Sequence, residues 1–351
     1  MDAMFYFIIV IGVLVFVHEM GHFLAAKKFG VRVEAFSIGF GPALLKKRIG
    51  ETEYRLSLVP LGGYVKMFGE DSNFICSEEE IAVSFVYQKL WKKFIIVAMG
   101  VTFNFLLAIV IFSGLNMTSE RQVFYPIVVE FTENSPAKDV GMQIGDRILK
   151  INDNNISTFN DIRLELHSAK GDIDVLVERN KESLILRINP QIVKGKNITG
   201  KEMDMKVMGV VFKVETVRLG IISSVQSGIK DTYEVGKLNL LGIKKMVTGE
   251  LSARDNLGGP IMIAKASAET AKYGLKSFLW FIAIISVCLG VINLFPIPAL
   301  DGGHLLIYTI EGVISRPVNK TIEKCLNVAG VLLLVALMVF TVGNDFLNFF
   351  F

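Results

Sequence analysis

Four uninterrupted apolar runs, at residues 4–26, 94–115, 278–294 and 325–343, decide what this chain can fold into. Each is long enough, or nearly so, to cross about 30 Å of hydrocarbon as a helix. The whole sequence agrees, with 52% hydrophobic residues, 20% charged residues and a mean hydropathy of +0.49, far from a soluble domain. The formal net charge of +3 is small and no basic tract is interleaved with aromatic residues, so nucleic acid is not an expected partner. Cys76, Cys288 and Cys325 are odd in number and widely spaced, which makes neither a disulfide framework nor a cysteine metal site.

Flanking charge orients the runs. The first follows Asp2 and precedes Lys27, Lys28 and Arg32, the reverse of a cleaved signal peptide, so it reads as a retained helix with its amino terminus outside. Lys46, Lys47, Arg48, Lys89, Lys92 and Lys93 extend the positive charge and mark residues 27–93 as cytoplasmic. Residues 116–276 and the carboxyl terminus then lie outside.

The two loops differ. Residues 31–68 alternate Val, Phe, Ile, Tyr and Leu with Gly and Pro breaks, predicting short strands and hairpins. Such backbone survives at membrane depth only when protein or a wet cavity covers it, so the expectation is a membrane-associated hairpin region at the cytoplasmic face. In residues 124–190, short Val/Ile-rich runs alternate with turn signals. The order NSPA, GMQIGDRILKIND and a later FNDI helix resembles a PDZ domain of the circularly permuted bacterial kind. That resemblance implies binding of extended chain ends by strand addition. Further on, YEVGKLNLLGIKKMVTGEL suits an amphipathic helix on the membrane surface, and Arg254, Asp255 and Asn256 read as ordinary loop.

The chemistry sits inside the apolar runs. The stretch VFVHEMGHFLAA at residues 15–26 places His18 and His22 one helical turn apart on one face, with Glu19 beside them. Two such imidazoles can reach one metal, and the carboxylate can handle the proton of an attacking water. A third ligand must come from elsewhere. GVINLFPIPALDGGHLL, residues 290–306, offers Asp301 after the third run, broken out of helix by Pro296, Pro298 and Gly302-Gly303. The first and third helices both run from outside to inside, and each motif follows a long apolar lead, so the two are expected at similar depth toward the cytoplasmic side. A charge at the bilayer centre costs about 3 kcal/mol even on lenient scales, which argues against purely structural roles for Glu19 and Asp301. His304 is a candidate for supporting a ligand from behind or, equally, a satisfied helix histidine.

HEMGH in the first helix, GFGPALLKKRIGETEYRLSLVPLGGYVKM, one PDZ-like segment, NLGGPIMIAK and NLFPIPALDGGH together resemble the site-2 protease family of intramembrane zinc metalloproteases, close to the bacterial regulator of sigma-E protease. The resemblance spans essentially the whole chain. It implies Zn2+ held by His18, His22 and Asp301, with Glu19 as catalytic acid/base and Asn293 in substrate binding or transition-state support. The family's Gly-Pro-x-x-Asn in the second helix corresponds here to Gly100-Val101-Thr102-Phe103-Asn104, which keeps Asn104 for a similar role but replaces the proline by Val101. It further implies a multi-pass protein of the bacterial inner membrane that cuts single-span membrane proteins, such as an anti-sigma factor or leftover signal peptides, in regulated intramembrane proteolysis. No obligate oligomer is implied.

The expected architecture is a polytopic α-helical membrane protein of about four transmembrane helices. Residues 1–30 carry the first span with HExxH, 31–90 the hairpin region and cytoplasmic loop, and 91–117 the second span. Residues 118–195 form one inserted α/β PDZ domain, 196–275 a linker with amphipathic helices, 276–310 the third span with LDGG, and 311–351 the fourth span and tail. A substrate strand is expected to pair with an edge in residues 31–68, at positions such as Arg55 or Ser57, while the PDZ module screens bulky ectodomains. The alternative is a membrane scaffold or metal transporter with a structural zinc and a PDZ recruitment module, whose mark would be a closed shell of four protein ligands.

Overall fold

The structure is a computed structural model that describes residues 2–70, 77–157, 159–169, 171–196, 202–252 and 258–350; Cys76, Arg254, Asp255 and Asn256 lie outside the described residues. The chain divides into two compact units, Met1–Thr118 with Gly220–Phe351, and Ser119–Leu219. The first opens with α1 (Asp2–Lys28), β1 (Val33–Ile49), β2 (Thr52–Met67), α2 (Glu78–Ile81) and α3 (Leu90–Thr118). The second holds β3 (Arg121–Phe131), α4 (Pro136–Asp139), β4 (Arg147–Ile151), β5 (Asn154–Asn155), α5 (Phe159–Ser168), β6 (Ile173–Arg179), β7 (Glu182–Ile188), β8 (Gln191–Lys196), β9 (Glu202–Val207) and β10 (Val210–Val217). The chain then returns to the first unit through α6 (Ile221–Val247), α7 (Pro260–Lys272), α8 (Leu275–Asn293), α9 (Asp301–Ile314) and α10 (Lys320–Phe350).

Four helices among the described residues are long and apolar enough to cross a membrane: Ala3–Lys28, Leu90–Thr118, Leu275–Asn293 and Thr321–Leu347. They coincide with the four apolar runs. Ala108, Phe112, Ala283, Val287 and Val291 join α3 to α8 in one apolar cluster, and Val10, Leu14, Phe278 and Ile282 join α1 to α8 in another. The helix that holds YEVGKLNLLGIKKMV is α6, and it packs along α3 and α8. Val235 and Ile243 enter their apolar cluster. Asn116 Nδ2 donates to Asp231 Oδ2 at 2.8 Å, and the Cys288 thiol donates to Asn239 Oδ1 at 3.1 Å. Asp231 and Asn239 of α6 are therefore bonded to α3 and α8.

Strands β1 and β2 pair antiparallel, but not as a simple ladder. Ala35 to Ile38 have partners in both Glu53–Leu56 and Gly63–Lys66, while Leu45 to Ile49 pair only with Thr52–Leu56. In space the order is residues 43–49, 52–57, 33–38 and 63–67. Arg55 and Ser57, where an open edge was expected, lie on an interior segment; Ser57 is buried and its hydroxyl sits 3.1 Å from that of Ser37. The edge nearest α1 is residues 63–67, because the chain doubles back at the Pro60-Leu61-Gly62-Gly63 stretch.

The second unit is built on a sheet in the order β10-β3-β4-β6-β7, with β5 paired to β4. Its apolar core includes Val128, Ile148, Ile151, Ile173, Val175 and Val177 from the strands, and Ile162 and Leu166 from α5. The unit extends to Leu219, beyond the expected limit at residue 195, because β10 pairs with β3 from Val210–Phe131 to Val217–Arg121. That long-range pairing leaves no local trace in sequence. At the turn before β4, the buried carboxylate of Asp146 accepts from Arg179 Nε at 2.8 Å, Arg179 Nη2 at 2.7 Å and the Gln143 amide at 2.8 Å. Burial pushes the Asp146 carboxyl pKa up, but the Arg179 and Gln143 bonds outweigh it and hold the value below the ordinary range. A folded-state pKa below the unfolded one stabilises above about pH 4 and is lost as pH falls through the folded value. Asp146→Ala is expected to cost this unit about 3 kcal/mol. Urea unfolding should show that difference at pH 7 and a smaller one at pH 3.

Candidate metal centre

Nothing in α1 interrupts the helix, so His18 and His22 stand one turn apart with ring centroids at 4.8 Å. Their Nε2 atoms are 3.2 Å apart, and Asp301 Oδ2 lies 3.2 Å from His18 Nε2 and 3.5 Å from His22 Nε2. Among the described residues, these three form the group able to hold a metal ion. Bonds of about 2.0–2.1 Å in a tetrahedral site put neighbouring ligand atoms about 3.3–3.4 Å apart. The observed triangle has that edge. Asp301 Oδ2 is buried and accepts no hydrogen bond of normal geometry, so a carboxylate oxygen is aimed at two ring nitrogens with its charge otherwise unanswered, as a cation ligand would be.

The approach of α1 to α3 sets this triangle. A Cβ on Gly21 would lie 2.2 Å from the Met99 carbonyl oxygen, and one on Gly100 would lie 2.2 Å from His22 Nε2. Only hydrogen at both positions lets the helices meet so closely. In that contact His22 Nδ1 reaches the Ile96 carbonyl at 2.9 Å; donating there, the ring keeps the Nε2 lone pair for the triangle. His18 Nδ1 lies 3.1 Å from the Asn104 amide, whose other polar atom, Oδ1, is buried without a partner in this orientation. With the amide flipped by a half-turn, its oxygen accepts from the His18 Nδ1–H and His18 Nε2 is left with its lone pair. Asn104 is held in turn, since Ser286 Oγ of α8 donates to its carbonyl at 2.7 Å.

Asp301 is the first residue of α9 and follows a bend of backbone that sequence alone places only roughly. Ala299 has φ +77°, a left-handed conformation that costs a non-glycine residue about 1–3 kcal/mol and persists only where neighbours enforce it. Gly302 and Gly303 let α9 begin against the preceding loop: a Cβ would meet the Phe295 carbonyl oxygen at 2.2 Å and the Ile297 carbonyl oxygen at 2.5 Å, respectively.

The remaining expected site residues fall in distinct places. Glu19 is buried beside the triangle, where Gly63 of the hairpin crosses it so closely that a Cβ there would lie 3.0 Å from Glu19 Cγ. Asn104 sits behind His18. Asn293 is buried at the last position of α8. His304 lies one turn into α9 with its ring 6.4 Å from that of Tyr308, and the metal-capable group does not include it. The close approaches at Gly21, Gly63 and Gly100 escaped the sequence reading because a glycine carries no signal of what passes over it. Gly100→Ala should push His22 aside or part α1 from α3. The expected outcome is a folded protein that retains at least about tenfold less divalent metal in chelator competition, whereas Gly12→Ala, where a Cβ has open space, should retain it normally.

Comparison with known proteins bears on the same residues. Residues 6–337 match Peptidase family M50. The chain is 36% identical over 355 residues to a protein of Rickettsia conorii provisionally named a zinc metalloprotease, covering 98% of each chain. Similarly named proteins of Agrobacterium fabrum and Clostridium perfringens are 38% identical over 359 residues and 34% over 336, covering 97% and 95% of this chain and 94% and 95% of theirs. With a family match that runs from the first membrane-length helix into the last, the chain belongs to peptidase family M50, the site-2 protease family.

Proposed function

We propose that this protein is an intramembrane zinc endopeptidase that cuts transmembrane segments of single-span substrates in the inner membrane of a bacterium, in regulated intramembrane proteolysis. The observation that carries the reading is the triangle of His18 Nε2, His22 Nε2 and Asp301 Oδ2 with edges of 3.2–3.5 Å, next to a buried glutamate. Three protein ligands suit a catalytic zinc that keeps its fourth position open, and a closed structural shell would need one more. Zinc bound there supplies a Lewis acid that polarises a peptide carbonyl and lowers the pKa of water from 15.7 toward about 7.

The chain's own residues do the rest. His22, fixed by the Ile96 carbonyl, and His18, fixed by Asn104, present their Nε2 lone pairs to the metal and resist rotation. Glu19, one residue from His18 on the same helix, takes the proton from the attacking water and returns it to the leaving amine. A substrate helix hides its carbonyls in its own hydrogen bonds, so it must be held extended to be cut. The edge at residues 63–67 passes Glu19 and can accept an unwound substrate as an added strand. The Ser119–Leu219 unit reads as the PDZ module, with β10 as its open edge strand, and acts as a filter against bulky ectodomains on the outer side. The amino terminus, carboxyl terminus and this module lie outside, and the zinc site opens toward the cytoplasm.

Two outcomes test this. Purified Glu19→Gln should hold zinc within about twofold of the parent and lose at least about 1000-fold in cleavage of a single-span substrate, while His22→Ala should lose both. Substantial proteolysis by Glu19→Gln sinks the assignment. Proline placed singly at Tyr64, Val65 and Lys66 removes one backbone amide at a time, and since amides alternate in direction along a strand the three positions include at least one that faces away from β1. At least one of the three should lower turnover about tenfold or more with zinc content unchanged, as Arg55 on the interior segment cannot report. Full turnover at all three rules out the edge.

A further inference from the structure

Helix α10 has little apolar hold on the rest of the protein. Only 6% of its membrane-length window is buried within the protein, against 22%, 33% and 44% for the other three. Its position therefore depends on a few specific contacts. One is at Gly330, where a Cβ would lie 1.8 Å from the Pro298 carbonyl oxygen, so the helix backbone rests directly on the loop that leads to Asp301. The other is at Asp345, about 22 Å further along the helix by its rise per residue. The buried Asp345 carboxylate accepts from the Gly259 amide at 3.0 Å with Oδ1, and from the Ile261 and Met262 amides at 2.9 and 3.0 Å with Oδ2. These are donors of the first turn of α7 that have no partner within their own helix, and their partial positive charge favours a carboxylate. Gly259 is hemmed in there, since a Cβ would meet Asp345 Oδ2 at 2.6 Å.

We infer that Asp345 is a positioning residue for the metal centre, holding α10 against the Pro298 loop so that Asp301 meets His18 and His22; this rests on reading that centre as a zinc site. The contacts make a closed circuit. Helix α1 carries the two histidines and packs on α7 through Tyr6, Ile9, Val10 and Ala271. Helix α7 is capped by Asp345 of α10, and α10 at Gly330 presses on Pro298, next to Ala299 with its φ of +77° and three residues before Asp301. The backbone beside the third ligand is the one in the circuit that will not keep its conformation unaided. A carboxylate suits the far anchor because, released, it would face lipid near the end of an apolar helix, where charge is disfavoured.

The test uses the full-length protein in detergent, with Asp345→Asn, Asp345→Ala, Gly330→Ala and the Asp345→Ala/Gly330→Ala pair. Zinc retention is measured by chelator competition, kcat and KM on a single-span substrate, and hydrogen exchange at the Ile261 and Met262 amides and residues 297–300. Asp345→Ala is expected to raise the zinc dissociation constant about tenfold, to lower kcat about tenfold with KM within about twofold, and to speed exchange at both sites. Asp345→Asn should fall between Ala and the parent, Gly330→Ala should repeat the pattern from the other end, and the pair should be little worse than the worse single variant, as residues in one coupled unit are. Unchanged zinc retention in folded Asp345→Ala, or effects that simply add, would overturn the inference. Should Asp345→Ala fail to fold, Asp345→Asn and its pair with Gly330→Ala decide by the same criteria. A parent that retains no more zinc than His22→Ala sinks the zinc reading itself, whereas a zinc-binding parent with indifferent Asp345 variants sinks this inference alone.

Discussion

Everything in the helical unit depends on how closely α1 can lie on α3. With hydrogen in place of a side chain at Gly21 and Gly100, the two helices approach until the His22 ring rests on the α3 backbone, and its Nδ1 finds the Ile96 carbonyl. A methyl at either position would occupy space already taken at 2.2 Å. The same contact brings Asn104 behind His18 and, through Ser286, ties α8 to the pair. One backbone approach thus sets the rotation of both histidines and the position of the helix that leads to Asp301.

Several polar groups of this unit are bonded between helices, as a membrane-length bundle favours. Asn104, Ser286, Asn239, Cys288, Asn116 and Asp231 are bonded across helix pairs, and Asp345 is bonded to a helix start. Unpaired groups there are costly. At the triangle, the buried Asp301 Oδ2 faces two imidazole nitrogens without a hydrogen bond of normal geometry, an arrangement that suits a cation. The hairpin completes the arrangement by laying Gly63 across Glu19, so this carboxylate is buried between α1 and a sheet edge.

Much of this was legible in the sequence, and the rest was not for identifiable reasons. The spans follow from apolar length alone, and His18, Glu19 and His22 follow from the period of a helix. Asp301 was readable as a candidate because Pro296 and Pro298 end the third run just before a carboxylate, whereas Gly302 and Gly303, read as part of that break, lie inside α9. The role of Asn104 depends on the rotation of α3 about its axis, which a motif does not encode. The sheet edge was misplaced at Arg55 and Ser57 because β1 carries two sets of partners, and alternation of apolar residues cannot reveal which segment lies inside. The boundary at residue 195 missed β10 because its partner, β3, lies far upstream in the chain. In α6, the bonds of Asp231 to α3 and Asn239 to α8 are long-range contacts that helical periodicity does not show. Asp345 gave no sign, since a lone acid near a chain end usually marks solvent.

The central claim is that His18, His22 and Asp301 hold one zinc ion with a position to spare. X-ray absorption of the zinc-loaded protein tests it directly. The account expects four light-atom ligands at about 2.0–2.1 Å, two of them with the multiple scattering of imidazole, and one oxygen displaced when a hydroxamate is added. A shell without imidazole scattering, or four protein ligands that no hydroxamate displaces, would contradict it.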